Sequence, residues 1–503
     1  MIESNMKRTT MISKRWVFRQ VIVFLPFYLF TFLPLNARVT LPKFFDHNMV
    51  LQQQSECNIW GKTDTKKDVI IITSWDHEEY VAKADSKGDF KVKVRTPKAG
   101  GPYSIAISDG SEMLELNNIM IGEVWICSGQ SNMEMQMKGF KAQPVEGTTE
   151  ELMHCQDSLL RLFTVKRHAS LSPEWDVTGQ WNEANSACVR DFSATAYYFG
   201  RALRQALNVP VGLIVTSWGG SACEAWMKAD WLKAFPKVNQ QVTEDDVKKL
   251  QQRCPTALYN GQLKPLVGYG MRGAIWYQGE DNVPRYDYYA PLLKAMVEGW
   301  RADWQQGDFP FYYCQIAPYD YSLINWQNSQ LLREQQMKAE SMITNARMAV
   351  LMDAGLEYGI HPRKKREAGE RLALLALSNT YGVKGLPDFA VYKEVTFQND
   401  TAVISFDRSK EWVYFEHGPK SKNFEVAGED RMFHPAEAWV SRNRVYVKSN
   451  EVPRPVAVRY AWRDWVEGDL MHDGLPVSSF RTDNWEPTPT TVSQSEGDYN
   501  NPK

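Results

Sequence analysis

Paired cysteines are missing from this chain. Cys57, Cys127, Cys155, Cys188, Cys223, Cys254 and Cys314 form no Cys-x-x-Cys and no close pair. That excludes a zinc-ribbon pattern and a disulfide framework, although one or two bridges would be compatible with an oxidising compartment. An excess of one charge is missing too. The 58 Lys and Arg against 60 Asp and Glu leave a net charge of −2, which argues against a nucleic-acid partner. There is no His-Glu-x-x-His, no carboxylate cluster at ligand spacing and no cysteine-histidine set, so no metal or other cofactor is called for. A glycine-rich phosphate loop and a Gly-x-Ser-x-Gly elbow are absent as well, which leaves a nucleotide hydrolase, lipase or peptidase of those types without support. The longest apolar run, residues 21–35, contains Pro26 and Pro34 and falls short of the ~20 residues that a spanning helix needs.

That run follows Lys7, Arg8, Lys14, Arg15 and Arg19 and leads to Asn36-Ala37. This is the layout of a secretory signal peptide over residues 1–37, cut after Ala37. The expected mature chain is periplasmic or secreted and has no membrane span. A length of 503 residues is more than one core accommodates. Residues 38–117 carry short β-branched runs such as Val69-Ile70-Ile71-Ile72 and Phe90-Lys91-Val92-Lys93-Val94, which predict an N-terminal β-sandwich domain. From 118 to 380 apolar strands alternate with helical periodicity. Strands are expected at 124–127, 211–216, 274–277, 309–316 and 348–353, and helices at 194–207, 288–304, 329–341 and 363–378. Alternation of this kind implies a mostly parallel sheet covered on both faces by helices, an α/β three-layer αβα core. Residues 381–486 alternate again and predict a C-terminal β-sandwich domain. Residues 487–503 are polar, rich in Thr, Pro and Ser, and read as a disordered tail.

Four stretches stand at expected strand ends, where open α/β sheets bind ligands. In Val124-Trp125-Ile126-Cys127-Ser128-Gly129-Gln130-Ser131-Asn132-Met133 an apolar strand ends in a tight turn and a helix start. Ser131 suits a nucleophile there, because free N–H groups of the helix start can receive an oxyanion. Thr216-Ser217-Trp218-Gly219-Gly220 offers backbone that can approach a ligand closely. Trp276-Tyr277-Gln278-Gly279-Glu280-Asp281-Asn282 sets three polar side chains after a strand. Gly359-Ile360-His361-Pro362-Arg363 opens the last helix of the region, with Pro362 at its first position and His361 near its N-cap. Helix N-termini disfavour cations, so a neutral imidazole able to act as a base is expected.

These four blocks, in this order, resemble the sialate O-acetylesterase branch of the SGNH hydrolases, whose usual Gly-Asp-Ser is replaced by Gly-Gln-Ser. The resemblance implies a carbohydrate O-acetylesterase acting on an O-acetylated sugar or glycan. Ser131 would be the nucleophile and His361 the base. Gly219 or Gly220, with Gln278 or Asn282, would complete the oxyanion hole. SGNH hydrolases usually carry an aspartate about three residues before the histidine; Tyr358 stands there instead. Glu280, Asp353 and Glu357 are the carboxylates that could orient His361. Glu280 is favoured because related acetylesterases use the glutamate of Gln-Gly-Glu, and a dyad steadied by a backbone carbonyl is equally open. The residues do not choose between sialic acid and xylan or another acetylated polysaccharide, with Arg285 and Arg363 the candidates to meet a sialic carboxylate. The contrasting reading is a non-catalytic glycan-binding protein. Nothing in the sequence fixes an oligomeric state.

Overall fold

A computed structural model describes residues 39–409 and 412–486. The expected signal peptide and C-terminal tail lie outside the described residues. The fold is α/β. Its centre is a sheet built from β1 (Met113–Gly129), β2 (Asp157–Thr164), β3 (Trp181–Ala184), β4 (Val211–Ser217), β5 (Gly273–Tyr277), β6 (Phe311–Cys314) and β7 (Ala346–Ala349), in the order β3-β2-β4-β1-β5-β6-β7. The pairs β2–β4, β4–β1, β1–β5, β5–β6 and β6–β7 are parallel, and β3 joins β2 antiparallel. Strands β4, β5 and β6 are buried throughout. That is why they read as unbroken apolar runs rather than as alternation: both faces of a parallel sheet are covered.

Strand β1 has 17 residues and changes character along its length. Its first half is alternately exposed and pairs antiparallel with Gly100–Ser108. Val50–Gln52 then joins it in parallel at Met120 to Gly122. From Ile119 onward it is wholly buried as the middle strand of the central sheet. The boundary expected at residue 117 therefore falls inside one continuous strand, and the N-terminal and central regions share a sheet. A separate three-stranded sheet joins Val39–Thr40, Glu56–Thr63 and Asp89–Arg95. All seven cysteines are free thiols.

The helices that bear on the site are α1 (Ser131–Glu134), α2 (Ala194–Leu207), α3 (Tyr289–Trp304), α4 (Ser329–Met342) and α5 (Lys365–Asn379). Helix α2 starts where Ser193 caps the N–H of Ala196, as short hydroxyl side chains do. It packs its buried face on β4 and on α5. Helix α5 begins two residues later than expected, with Lys364 as its N-cap. His361 therefore lies in the loop ahead of the helix, not at its cap.

The C-terminal region forms a seven-stranded antiparallel sheet and a small three-stranded one. It is tied to α4 by the Arg481–Glu334 pair at 2.8 and 3.0 Å. The fully buried Arg333 adds bonds to Ser479 Oγ and to the carbonyl of Arg463.

Candidate active site

The turn after β1 is forced by packing. Gly129 has φ +141°, and a Cβ there would lie 2.2 Å from the carbonyl oxygen of Tyr277 on β5, so no larger residue fits. The chain reverses and Ser131 becomes the first residue of α1. Ser131 keeps 9% of its surface, whereas Asn132 and Met133 beside it are sealed. Its Oγ makes no hydrogen bond among the described residues. The N–H groups of Ser131 and Asn132, at the open end of α1, have no acceptor there either. These are the orphan donors that every helix start leaves.

His361, on the loop after β7, reaches the same edge of the sheet. Asn132, next to Ser131, donates from Nδ2 to the carbonyl oxygen of Ile360, next to His361, at 3.1 Å. The imidazole is held by the segment that follows α1. Phe140 and Gln143 exchange backbone hydrogen bonds in a tight turn. From it Phe140 meets the ring edge-on, with centroids 5.0 Å apart, and Gln143 Oε1 lies 2.6 Å from Nδ1. An amide oxygen can only accept, so Nδ1 carries the proton and Nε2 is bare, the tautomer of a base. Burial, aided by the charge of Lys365, brings the His361 pKa down to about 4. The neutrality expected from a helix terminus thus arises from desolvation instead, since α5 begins four residues further on.

None of the carboxylates considered for the triad touches His361. Glu280, buried, accepts from Asn132 Nδ2 at 2.5 Å, while its Oε2 has no hydrogen-bond partner among the described residues. Burial holds its carboxyl above the usual range. Asp353 is clamped by both terminal nitrogens of Arg371, at 2.7 and 2.6 Å. Glu357 acts on its neighbour, the exposed Tyr358, whose hydroxyl pKa it raises. Asp353→Asn should therefore cost on the order of 1–3 kcal/mol of stability, the range for a hydrogen-bonded charge. It should leave kcat and the pH profile unchanged, as a thermal melt and an ester assay on the same preparation would show. A collapse of kcat would make Asp353 the acid after all.

The two amides expected in the oxyanion hole are occupied. Gln278 Nε2 donates to the carbonyl oxygen of Ser221 and to Asn282 Oδ1, at 3.0 and 2.7 Å, and its Oε1 accepts from Tyr289. Asn282 Oδ1 accepts from the N–H of Cys223, and its Nδ2 donates to Glu224 at 3.0 Å. Both side chains are fully buried. They brace the loops after β4 and β5. The N–H of Gly219 is engaged too, donating to Glu134 Oε2 at 2.8 Å. Gly219 itself lies flush against the serine, since a Cβ there would be 3.2 Å from Ser131 Cβ. The N–H of Gly220, at φ +70°, has no acceptor among the described residues. Of the arginines considered for a sugar carboxylate, Arg285 pairs with Glu224 and Asp281, and Arg363 is exposed.

Sequence reasoning missed Gln143, Phe140 and Lys365, and gave Asn132 no role. Only Asn132 had a local signal, its place in the Gly-Gln-Ser-Asn turn. Lys365 donates to Asn132 Oδ1 at 2.6 Å.

A serine hydroxyl with unengaged helix-start donors, on the same sheet edge as a neutral imidazole, is an arrangement suited to acyl transfer. Comparisons with known proteins agree with that chemistry. Residues 121–378 match the family described as carbohydrate esterase, sialic acid-specific acetylesterase. The sialate O-acetylesterase of Rattus norvegicus is 26% identical over 494 residues, which cover 84% of this chain and 89% of the rat protein. That of Homo sapiens is 29% identical over 376 residues, covering 68% of this chain and 71% of the human one. A carbohydrate acetylesterase from Xanthomonas citri superposes with a TM-score of 0.82 at 33% identity, covering 89% of this chain and all of that one. With more than half its length matched by the family, and the four motif-bearing loops gathered at one sheet edge, this chain belongs to the sialic acid-specific acetylesterases among the carbohydrate esterases.

Proposed function

We propose that this protein is a carbohydrate O-acetylesterase that removes O-acetyl groups from sialic acids through a serine acetyl-enzyme. Ser131 Oγ attacks the acetyl carbonyl carbon while His361 Nε2 takes its proton. The oxyanion is received by the N–H groups of Ser131 and Gly220. The ester C–O bond then breaks, and His361 returns the proton to the departing sugar oxygen. Water, deprotonated by His361, attacks the acetyl group and releases acetate and free serine. Each oxyanion donor is asked for roughly 3 kcal/mol. Gln143 takes the orienting place that a carboxylate fills in a triad, so the pair works as a dyad. Glu280 supports Asn132. Gln278 and Asn282 support the loops that carry Gly219 and Gly220.

The observation that carries this reading is the unengaged Ser131 hydroxyl, at an open helix start whose second residue is bonded to the segment bearing His361. The three-layer SGNH core over 118–380, flanked by two β domains, is part of the same proposal. So is export by the residue 1–37 signal.

The substrate rests on the sialate O-acetylesterase relatives. Acetate release from O-acetylated sialoglycoprotein and from acetyl-xylan, each at matched acetyl content, tests it. Sialate turnover at least tenfold the higher in kcat/KM is expected. The reverse ratio would move the enzyme to plant polysaccharide, and no release from either would leave a glycan-binding protein.

A further inference from the structure

We infer that Lys365 is a positioning residue for the proposed Ser131–His361 pair and that it acts through the side-chain amide of Asn132. The inference rests on the dyad reading above.

Asn132 sits at a junction. Its Nδ2 donates to Glu280 Oε1 at 2.5 Å and to the Ile360 carbonyl at 3.1 Å. Its Oδ1 accepts from Lys365 Nζ at 2.6 Å. Its own carbonyl accepts from Thr195 Oγ1 at 3.0 Å. Asn132 follows Ser131, and Ile360 precedes His361. One amide therefore links the backbone that carries the nucleophile to the backbone that carries the base, across 228 positions of chain.

The orientation of that amide is not free. Two acceptors, the Glu280 carboxylate and the Ile360 carbonyl, require its NH2 on their side. The opposite side then needs a donor, and Lys365 is the donor there. Without it, Oδ1 would be a buried acceptor with no partner, and an amide can turn to relieve that at the expense of the Ile360 bond.

Lys365 is an improbable choice on structural grounds alone. It is 1% exposed, it is the first residue of α5, where a cation meets the positive end of the helix dipole, and no carboxylate lies within ion-pair distance of it among the described residues. Glu280 stands beyond that distance, on the other side of the Asn132 amide, where its charge still acts on the amine. Its other neighbours are the Tyr277 ring, 5.7 Å away, and the Cys314 thiol. Burial lowers its pKa to about 7. An apolar residue would fill the space at lower desolvation cost, so the amine has to be there for what it donates to. Its charge also reaches His361, whose ring contacts, Phe140 and Gln143, are uncharged, and it opposes a second positive charge there.

The test uses full-length Lys365→Met and Lys365→Arg, assayed on a chromogenic acetyl ester, together with NMR titration of His361. Lys365→Met should lower kcat about 10²-fold, the scale of an ångström-level misplacement, with KM little changed. It should raise the His361 midpoint from about 4 toward the ordinary value, and Lys365→Arg should keep the midpoint low. Wild-type kcat together with an unmoved midpoint in a folded Lys365→Met protein overturns the inference. If circular dichroism finds that variant unfolded, Asn132→Ala takes its place: a full kcat there overturns the inference, and a kcat loss at constant KM supports it. The NMR midpoint needs no turnover. A Ser131→Ala enzyme that still works would therefore remove the dyad reading while leaving the effect of Lys365 on His361 measured in its own right.

Discussion

Replacing Ser131 with alanine should abolish acetate release, with kcat/KM falling roughly 10⁴–10⁶-fold, the scale set by loss of a nucleophile from a serine hydrolase. The stability of the fold should hardly move. Ser131 Oγ makes no hydrogen bond among the described residues, so deleting it leaves no partner unpaired, and the small side chain opens no large cavity. A shift within about 0.5 kcal/mol is expected, as for a substitution that touches nothing structural. That pairing of a very large activity loss with an unchanged melt is the signature to look for. A serine that merely capped the helix would behave the other way: the melt would drop by about 1 kcal/mol, the usual value of a cap, and turnover would survive. Burst kinetics on an activated acetyl ester add an independent check. The wild type should trap one acetyl group per chain, and Ser131→Ala none.

His361→Gln should cost about 10²–10⁴ in kcat, the worth of a general base. The wild type should also show a displaced pH profile. Because burial and the charge of Lys365 hold the imidazole near pKa 4, the ring stays unprotonated above that pH. The acid limb of kcat/KM should therefore be half-maximal near pH 4, not near the ordinary histidine value of about 6.5. The sign follows from the role: protonation removes the base, so activity falls as pH drops through the midpoint. His361→Gln should flatten this limb along with the rate. An acid limb near 6.5 would mean that the ring is solvated in the working enzyme, or that another group supplies the base. Gln143 fixes the tautomer without lifting the pKa as a carboxylate would.

Much of the site could be read from the chain alone. The apolar runs of β1, β4 and β5, each ending in glycine or polar residues, mark strands that stop at one edge, and this is a local signal. Gly129 announces a turn that only glycine can make. The serine and glycine motifs could therefore each be placed at an expected strand end and the histidine ahead of the last helix, and the four blocks carried the family resemblance.

Hydrogen-bond partners are a different kind of information. Gln278 and Asn282 are amides after a strand, and amides serve equally well as oxyanion donors or as braces. The decision lay with Ser221, Cys223, Glu224 and Tyr289, which surround them. Glu280 bonds Asn132, 148 positions away, and His361 bonds Gln143, 218 positions away. No periodicity encodes such pairings. Arg363, Lys364, Lys365 and Arg366 run together as a basic surface segment. Only the fold buries Lys365, at the first position of α5, and leaves Arg363, in the loop before it, in solvent. The sequence by itself determined the strands, the turns and the candidate serine and histidine, because those depend on neighbours along the chain. The tertiary structure decided the partner of the imidazole, which N–H groups are left without an acceptor among the described residues and the burial of the lysine, because a side chain's surroundings depend on which groups folding brings against it.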